Sequence, residues 1–232
     1  MPATSPSDRG PEAHAGAPEP RLRRYVAMGD SFTAGVPGDP EGAGRWPDEL
    51  AAALGRKRPG LEYHNLGVAG VTSQEVVVGQ LERALALAPD LVTVLCGAND
   101  VLLSVRPDID GYRRHLSEIL SRLGGKGSAA HMMTATCADF SPWTSFRPRS
   151  RRRVRDGIRA VNDVTREEAA RHGALCLEFA RDPWAAERGS FSADGVHPSR
   201  AANRRAAAAF LGAVAELRFE ARPETPQAQG GP

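Results

Sequence analysis

Four short motifs carry the residue types with which a protein can transfer an acyl group through a serine. In chain order they are Gly29-Asp30-Ser31, Gly70, Gly97-Ala98-Asn99-Asp100 and Asp194-Gly195-Val196-His197. A serine supplies a nucleophile, a histidine near a carboxylate supplies an oriented base, and further hydrogen-bond donors can stabilise an oxyanion. The set is sufficient for serine-based acyl transfer, provided that the fold brings the four motifs together.

Ser31 is the candidate nucleophile, and His197 is the candidate base that takes its proton. Imidazole titrates near neutral pH, so His197 can also return the proton to a leaving alcohol. Asp194 can hold the Nδ1 proton of His197 and stabilise the imidazolium. Because Pro198 disfavours helical backbone at the residue before it, we expect His197 on an extended turn before the last helix. The other histidines lack a comparable acidic neighbour and are interpreted as surface or hydrogen-bonded structural residues: His14, His64, His115, His131 and His172.

Alternating strand and helix patterns fill the chain between its ends. Apolar runs and the glycines that end them predict five strands. A short apolar run covers residues 25–28, a candidate strand over 61–66 ends at Gly67, and the others cover 91–95, 129–135 and 174–179. Helical spacing predicts helices over residues 73–87, 109–123, 154–165 and 201–217, with Ser73 as the N-cap of the first. This order predicts an α/β protein, a three-layer α/β/α sandwich around a mostly parallel five-stranded sheet.

The predicted strands give the motifs a common location. Ser31, Gly70 and Asn99 each follow the carboxyl end of a strand, and open α/β sheets bind ligands at that edge. Asp194 and His197 follow the fifth strand after a loop, so they can reach the same edge. We therefore expect the four motifs to converge on one site.

Over residues 23–217 the chain resembles the SGNH hydrolases, also called the GDSL esterase/lipase family. The resemblance rests on four blocks in the family's order: Gly29-Asp30-Ser31-Phe32-Thr33-Ala34-Gly35, Asn65-Leu66-Gly67-Val68-Ala69-Gly70, Gly97-Ala98-Asn99-Asp100 and Asp194-Gly195-Val196-His197-Pro198. It implies a flavodoxin-like SGNH hydrolase fold and a serine esterase with Ser31, Asp194 and His197 as catalytic residues. No cofactor or metal is expected.

The resemblance also implies an oxyanion hole with three donors, namely the Ser31 N–H, the Gly70 N–H and the Asn99 side-chain amide. Each such donor contributes roughly 10² to 10³ in rate. Gly67 is an alternative to Gly70 for the second donor. Gly70 and Asn99 are also common in ordinary turns, and Ser31 alone could be a helix N-cap.

Asp30 and Asp100 adjoin motif residues, and we expect them to brace loops through backbone hydrogen bonds rather than to act in catalysis. Metallophosphoesterases also use Asp, Asn and His at strand ends, but this chain lacks Asp-x-His at the first strand and clustered histidines. It contains no GxSxG, no GxGxxG after the first strand and no GxxxxGK[ST]. The α/β-hydrolase, dinucleotide-binding and P-loop folds are therefore disfavoured.

Composition limits the remaining function classes. The chain has 232 residues, 41% of them hydrophobic, which favours one domain over residues 23–218 between disordered segments 1–22 and 219–232. A net charge of +2 argues against nucleic acid as a partner. Three widely spaced cysteines indicate reduced thiols rather than a disulfide framework or zinc site. Without a secretory or membrane-spanning apolar run, a cytoplasmic location is expected.

Two long loops and a basic run adjoin the predicted site. The loops cover residues 36–46 and 136–149, and the second carries aromatic residues that could grip a substrate or pack against the domain. The basic run could be a solvated helix start or could steer an anionic substrate group to the site. It consists of Arg147, Arg149, Arg151, Arg152, Arg153 and Arg155.

The sequence thus predicts a serine esterase that hydrolyses a small or medium carboxylic ester through an acyl-enzyme. An acyltransferase would use the same site with an alcohol or amine as acceptor in place of water. A binding domain that retains the fold without catalysis is the third possibility. It is disfavoured because every expected catalytic residue type is present.

Overall fold

The computed structural model describes residues 22–36, 44–125 and 130–219. The segments expected to be disordered, 1–22 and 219–232, lie outside the described residues except for Leu22 and Phe219. Both of these side chains are buried in the apolar core. Most of the first long loop, residues 37–43, is also outside the described residues.

The five predicted strands form one parallel sheet with the order β2-β1-β3-β4-β5. Each strand ends within two residues of its predicted boundary. The predicted α/β sandwich with a five-stranded sheet is therefore confirmed. The strands are β1 (Arg24–Gly29), β2 (Glu62–Asn65), β3 (Leu91–Leu95), β4 (His131–Ala135) and β5 (Leu175–Leu177).

Helices cover both faces of the sheet. They are α1 (Ser31–Ala34), α2 (Trp46–Lys57), α3 (Ser73–Val76), α4 (Glu82–Ala86), α5 (Ala98–Leu102), α6 (Ile109–Leu123), α7 (Pro148–His172) and α8 (Arg200–Ala215). Successive side chains of β1 point to opposite faces. Val26 and Met28 pack in the core shared with α6 and α7, whereas Tyr25 and Ala27 pack in the core shared with α2 and α8. None of the helices that the structure describes is long and apolar enough to cross a bilayer.

The helix predicted over residues 73–87 differs from the expectation in two respects. Thr72, not Ser73, is its N-cap, and Thr72 forms a capping box with Glu75. The helix is also interrupted by a π-helical turn, Val77–Leu81, between α3 and α4. The Ser73 side chain faces the interior and bonds to another segment, so it is unavailable to cap its own helix.

The turn after β1 is what places Ser31 at the carboxyl edge. Gly29 has φ +139°, and a Cβ there would lie 1.9 Å from the carbonyl oxygen of Leu95 on β3. Only glycine permits this close approach. Asp30 N–H donates to the same carbonyl at 3.1 Å, and α1 begins at the next residue. Ser31 therefore stands at the carboxyl end of β1, the strand that lies between β2 and β3.

Candidate active site

The structure brings Ser31, His197 and Asp194 together in one hydrogen-bonded chain. His197 Nε2 lies 2.9 Å from Ser31 Oγ, across 166 residues of sequence. His197 Nδ1 lies 2.5 Å from Asp194 Oδ2. The imidazole is thus held on one side by a carboxylate and faces the serine hydroxyl on the other. This is the geometry in which histidine can take a proton from serine.

The loop that carries His197 is shaped by Asp194. Its Oδ1 accepts hydrogen bonds from the backbone N–H groups of Val196 at 2.8 Å and His197 at 3.0 Å. Ser192 Oγ donates to the same oxygen at 2.7 Å. Gly195, which follows Asp194, has φ +73°, and a Cβ at this position would lie 2.1 Å from the carbonyl oxygen of Trp143. One carboxylate therefore orients both the ring of His197 and the backbone beneath it.

These hydrogen bonds also determine the charge of Asp194. Partial burial by itself would raise the pKa of this carboxyl, but the bonds from His197, Val196 and Ser192 lower it further than burial raises it. The net result is a pKa well below the ordinary value. Asp194 is therefore ionised at neutral pH, and its negative charge can stabilise a protonated imidazole.

Asp30 braces the turn that carries Ser31, as expected. Asp30 is the N-cap of α1, and its Oδ1 accepts from the backbone N–H of Phe32 at 2.9 Å. Because Asp30 occupies the N-cap, Ser31 is the first residue of the helix and its hydroxyl is free to meet His197. Trp46 Nε1 donates to the carbonyl oxygen of Phe32 at 2.8 Å and ties the turn to α2.

Two backbone amides are available to an oxyanion. The N–H groups of Ser31 and Gly70 donate to no acceptor among the residues that the structure describes. The N–H of Gly67, by contrast, already donates to Asn65 Oδ1 at 2.9 Å. Gly70 is exposed and has φ +85°, a backbone conformation that favours glycine. This difference in hydrogen bonding favours Gly70 over Gly67 as a donor.

The third expected donor, Asn99, lies in the first turn of α5. Its Nδ2 donates one hydrogen to the carbonyl oxygen of Val71 at 2.9 Å, in the segment that follows Gly70. This bond fixes which way the amide faces, because only the nitrogen can donate. The second Nδ2 hydrogen is left for another acceptor. Gly97, the N-cap of α5, has φ +117° and packs against the ring of Tyr112.

Asp100, next to Asn99, binds the segment after Gly70 and makes no hydrogen bond to Ser31, His197 or Asp194. Its Oδ2 accepts from the backbone N–H of Ser73 at 2.9 Å, and its Oδ1 accepts from Ser73 Oγ at 2.5 Å. Ser73 Oγ also lies 3.0 Å from His115 Nδ1 on α6. The bracing role expected of Asp100 agrees with these contacts. His115 is thus hydrogen-bonded, in agreement with one of its two expected roles, although no local motif indicates its partner.

A cavity of about 90 Å³ borders the chain neighbours of the candidate catalytic residues, namely Asp30, Phe32 and Pro198. Most of its remaining wall is apolar. Asp30 is fully buried, and its Oδ2 has no hydrogen-bond partner among the described residues. Burial raises the pKa of Asp30 to about 7. The side chain therefore stays protonated and neutral at pH values at which an ordinary carboxyl group is ionised. Cys96 and Cys137 also line the cavity, and burial raises the pKa of both thiols.

The basic run begins at the N-cap of α7, Arg147, and continues through the first turns of that helix. Arg151 donates to the carbonyl oxygens of Thr144 at 3.3 Å and Phe146 at 3.4 Å, so it supports the preceding loop. Arg153 donates to the carbonyl oxygen of Val101 at 2.7 Å, at the end of α5. Part of the run is therefore structural. The aromatic residues of the adjacent loop pack on the core: Phe140 is buried, and Trp143 and Phe146 are partly buried.

The comparisons with known proteins agree with this fold. The family model of the GDSL-like lipase/acylhydrolase family matches residues 27–205. No curated protein matches the chain significantly. Among solved structures, the lipase/acylhydrolase from Enterococcus faecalis is 22% identical, covers 88% of this chain and 100% of its own, and has a TM-score of 0.64. A variant of Axe2, an acetyl xylan esterase from Geobacillus stearothermophilus, is 20% identical, with coverage of 87% and 97% and a TM-score of 0.62.

TesA is similar to the same degree, at 22% identity over 80% of this chain and 94% of its own, with a TM-score of 0.62. At such identities the solved structures share the fold with this chain. The family model covers most of the sequence, including the first, second, third and last motif blocks. The chain therefore belongs to the GDSL-like lipase/acylhydrolase family of hydrolases.

Proposed function

We propose that the protein is a serine esterase that hydrolyses a small or medium carboxylic ester through an acyl-enzyme. The observation that carries the proposal is the hydrogen-bonded chain from Ser31 through His197 to Asp194. Such a chain activates a hydroxyl that is otherwise a weak nucleophile. The amide donors around Ser31 add a means of stabilising the tetrahedral oxyanion.

In the first half of the reaction, Ser31 Oγ attacks the ester carbonyl carbon while its proton passes to His197 Nε2. The carbonyl oxygen becomes an oxyanion beside the N–H groups of Ser31 and Gly70 and the amide of Asn99. When the intermediate collapses, the bond to the alkoxy oxygen breaks. His197 gives its proton to the departing alcohol, and the acyl group remains on Ser31.

In the second half, water replaces the alcohol. His197 takes a proton from the water as its oxygen attacks the acyl carbon, and the same donors again face the oxyanion. Collapse releases the carboxylic acid and returns the proton to Ser31 Oγ. Asp194 is ionised in both halves and stabilises the imidazolium each time it forms.

A panel of chromogenic acyl esters of graded chain length tests the proposal. Acetylated sugars belong in the panel because the similar enzyme Axe2 is named an acetyl xylan esterase. We expect Ser31→Ala to lower kcat by about 10⁶. The matched control, Ser121→Ala, removes an exposed hydroxyl on α6 and should leave the rate unchanged. Retention of most activity by Ser31→Ala would rule out the mechanism.

Product analysis with added acceptors separates hydrolysis from acyl transfer. If water resolves the acyl-enzyme, the free acid forms in proportion to the alcohol released, whatever alcohol or amine is added. If the enzyme is an acyltransferase, the acyl group appears on the acceptor at the expense of the acid. Mass spectrometry of the quenched enzyme should detect the acyl group on Ser31 in either case.

A further inference from the structure

The oxyanion hole of the proposed esterase is assembled from segments that are distant in sequence. Gly70 lies in the loop after β2, whereas Asn99 lies in the first turn of α5. The start of the Gly70 loop is attached to the nucleophile turn, because the N–H of Val68 donates to the carbonyl oxygen of Gly29 at 3.1 Å. Its far end needs a separate attachment if the Gly70 amide is to hold a constant distance from the Asn99 amide.

That attachment consists of three hydrogen bonds from α5. Asn99 Nδ2 donates to Val71 O, and both oxygens of Asp100 accept from Ser73. Ser73 is fully buried, so these bonds are shielded from water. The two α5 residues therefore hold the chain on the carboxyl side of Gly70.

The donors and acceptors in this group can be assigned without ambiguity. The Ser73 hydroxyl has one proton, and it goes to the carboxylate of Asp100, which can only accept. His115 Nδ1, 3.0 Å from Ser73 Oγ, must then be the donor in that contact. In this cluster the carboxylate contacts the serine. In the Ser31 chain, by contrast, the carboxylate of Asp194 contacts the histidine, and the histidine contacts the serine. Ser73 is consequently not activated as a nucleophile.

We propose that Asp100 and Ser73, supported by His115, are positioning residues that hold the backbone N–H of Gly70 at a constant distance from the side-chain amide of Asn99. The proposal rests on the proposed esterase function, and these three residues act through the oxyanion donors without touching substrate. Oxyanion donors must lie about 2.7–3.1 Å from the oxygen that they stabilise. A displacement of roughly 1 Å lowers the rate by up to about 10²-fold.

The chain contains a matched control for this cluster. Ser117 Oγ on α6 lies 2.8 Å from His172 Nε2 on α7, and His172 Nε2 lies 3.4 Å from Glu168 Oε2. This second group likewise consists of a serine, a histidine and a carboxylate, and it joins α6 to α7. It contacts neither α5 nor the Gly70 loop through any of these bonds. Ser117→Ala therefore removes a similar hydrogen bond without affecting the oxyanion donors.

The test compares kcat, KM and melting temperature for Ser73→Ala, Asp100→Asn, His115→Phe and Ser117→Ala on one chromogenic ester. We expect Ser73→Ala and Asp100→Asn to lower kcat by about 10- to 100-fold with KM changed less than about threefold, because the hole acts on the transition state. His115→Phe should have a smaller effect, since Ser73 keeps both bonds to Asp100. Ser117→Ala should leave kcat unchanged at a comparable loss of melting temperature.

A further readout separates positioning from general destabilisation. Phenylboronic acid forms a tetrahedral adduct on Ser31 whose oxygen can use the same donors, so Ser73→Ala should weaken its inhibition in proportion to the loss of kcat. Unchanged inhibition in Ser73→Ala, or equal losses of kcat in Ser73→Ala and Ser117→Ala, would overturn the positioning role. An active Ser31→Ala enzyme would instead overturn the esterase function on which this role depends.

Discussion

His197 Nδ1 and Asp194 Oδ2 lie 2.5 Å apart, and the other oxygen of the same carboxylate accepts the backbone N–H of His197. Asp194 therefore constrains the ring and the main chain of one residue together. Any change at Asp194 acts on both the tautomer of His197 and the direction in which the ring faces Ser31.

The first prediction concerns this carboxylate. In Asp194→Asn the amide can no longer stabilise the imidazolium, and it favours the wrong tautomer of His197. We expect kcat to fall by about 10³ to 10⁴ with KM little changed. Steady-state kinetics on the best ester of the panel measures the effect. Ser192→Ala is the control, because it removes one neutral donor to Asp194 and leaves the carboxylate in place; a similar loss in both variants would contradict the assignment.

The second prediction concerns pH and the Asp194 hydrogen bonds. The pKa of Asp194 is lower in the folded protein than in the unfolded chain. Its contribution to stability is therefore fully present at pH values above the pKa of the unfolded chain. That contribution is lost as the pH falls from there toward the pKa of the folded protein. We expect the stability difference between wild type and Asp194→Asn to shrink from pH 6 to pH 3. Urea unfolding at fixed salt measures it, and a difference that is constant with pH would refute this account.

The third prediction concerns Asp30, for which the sign is opposite. Its folded pKa of about 7 lies above the ordinary 3.8, so the folded protein retains a proton that the unfolded chain has lost. The free energy of unfolding should therefore fall as the pH rises from about 4 to 7, by at most about 4 kcal/mol. Asp30→Asn keeps an acceptor for the N–H of Phe32 and should remove this dependence. Urea unfolding of both proteins between pH 4 and 8 tests it; parallel curves would show that burial does not hold Asp30 neutral.

The fourth prediction concerns Asn99, the third proposed oxyanion donor. Asn99→Ala removes a side-chain donor and the bond to Val71, so we expect kcat to fall by roughly 10² to 10³. Asn99→Asp keeps the shape but replaces the donor with an acceptor that repels an oxyanion, and it should be at least as inactive. Rates near wild type in Asn99→Asp would exclude Asn99 from the oxyanion hole.

The fifth prediction concerns steering by the basic run. Arg149 and Arg152 are exposed and form no ion pair among the described residues, whereas Arg151 and Arg153 bind backbone carbonyls. Because α7 follows β4, its first turn lies at the same edge of the sheet as Ser31. Reversing Arg149 and Arg152 to Glu should raise KM for an anionic ester by roughly tenfold at low salt and spare a neutral ester.

The control for steering reverses the same amount of charge elsewhere. Arg56 and Lys57 end α2, which leads into the start of β2 at the opposite edge of the sheet. Arg56→Glu with Lys57→Glu should leave both KM values unchanged. Equal effects of the two double variants, or equal effects on both esters, would show that the basic run is only a solvated helix start.

The sequence by itself determined the strands and the identity of the candidate catalytic residues. Apolar runs that stop at glycine predict β1 and β3. Hydrophobic periodicity predicts both ends of α6, Ile109 and Leu123. Motif order was enough to associate Ser31 with Asp194 and His197, although 163 residues separate Ser31 from Asp194. These features are local, because each depends on residue types within a few positions of one another.

Only the tertiary structure decided how the polar side chains pair. Ser73 stands where a helix N-cap is expected, yet Thr72 caps the helix and Ser73 meets Asp100, 27 residues away. His115 has no motif around it, and only the packing of α6 against α3 brings it to Ser73. The N–H of Gly67 donates to Asn65, whereas that of Gly70 donates to no residue that the structure describes, and no spacing rule reveals this difference. Periodicity records which face of an element is buried, whereas hydrogen bonds between distant segments depend on the sheet that brings them together.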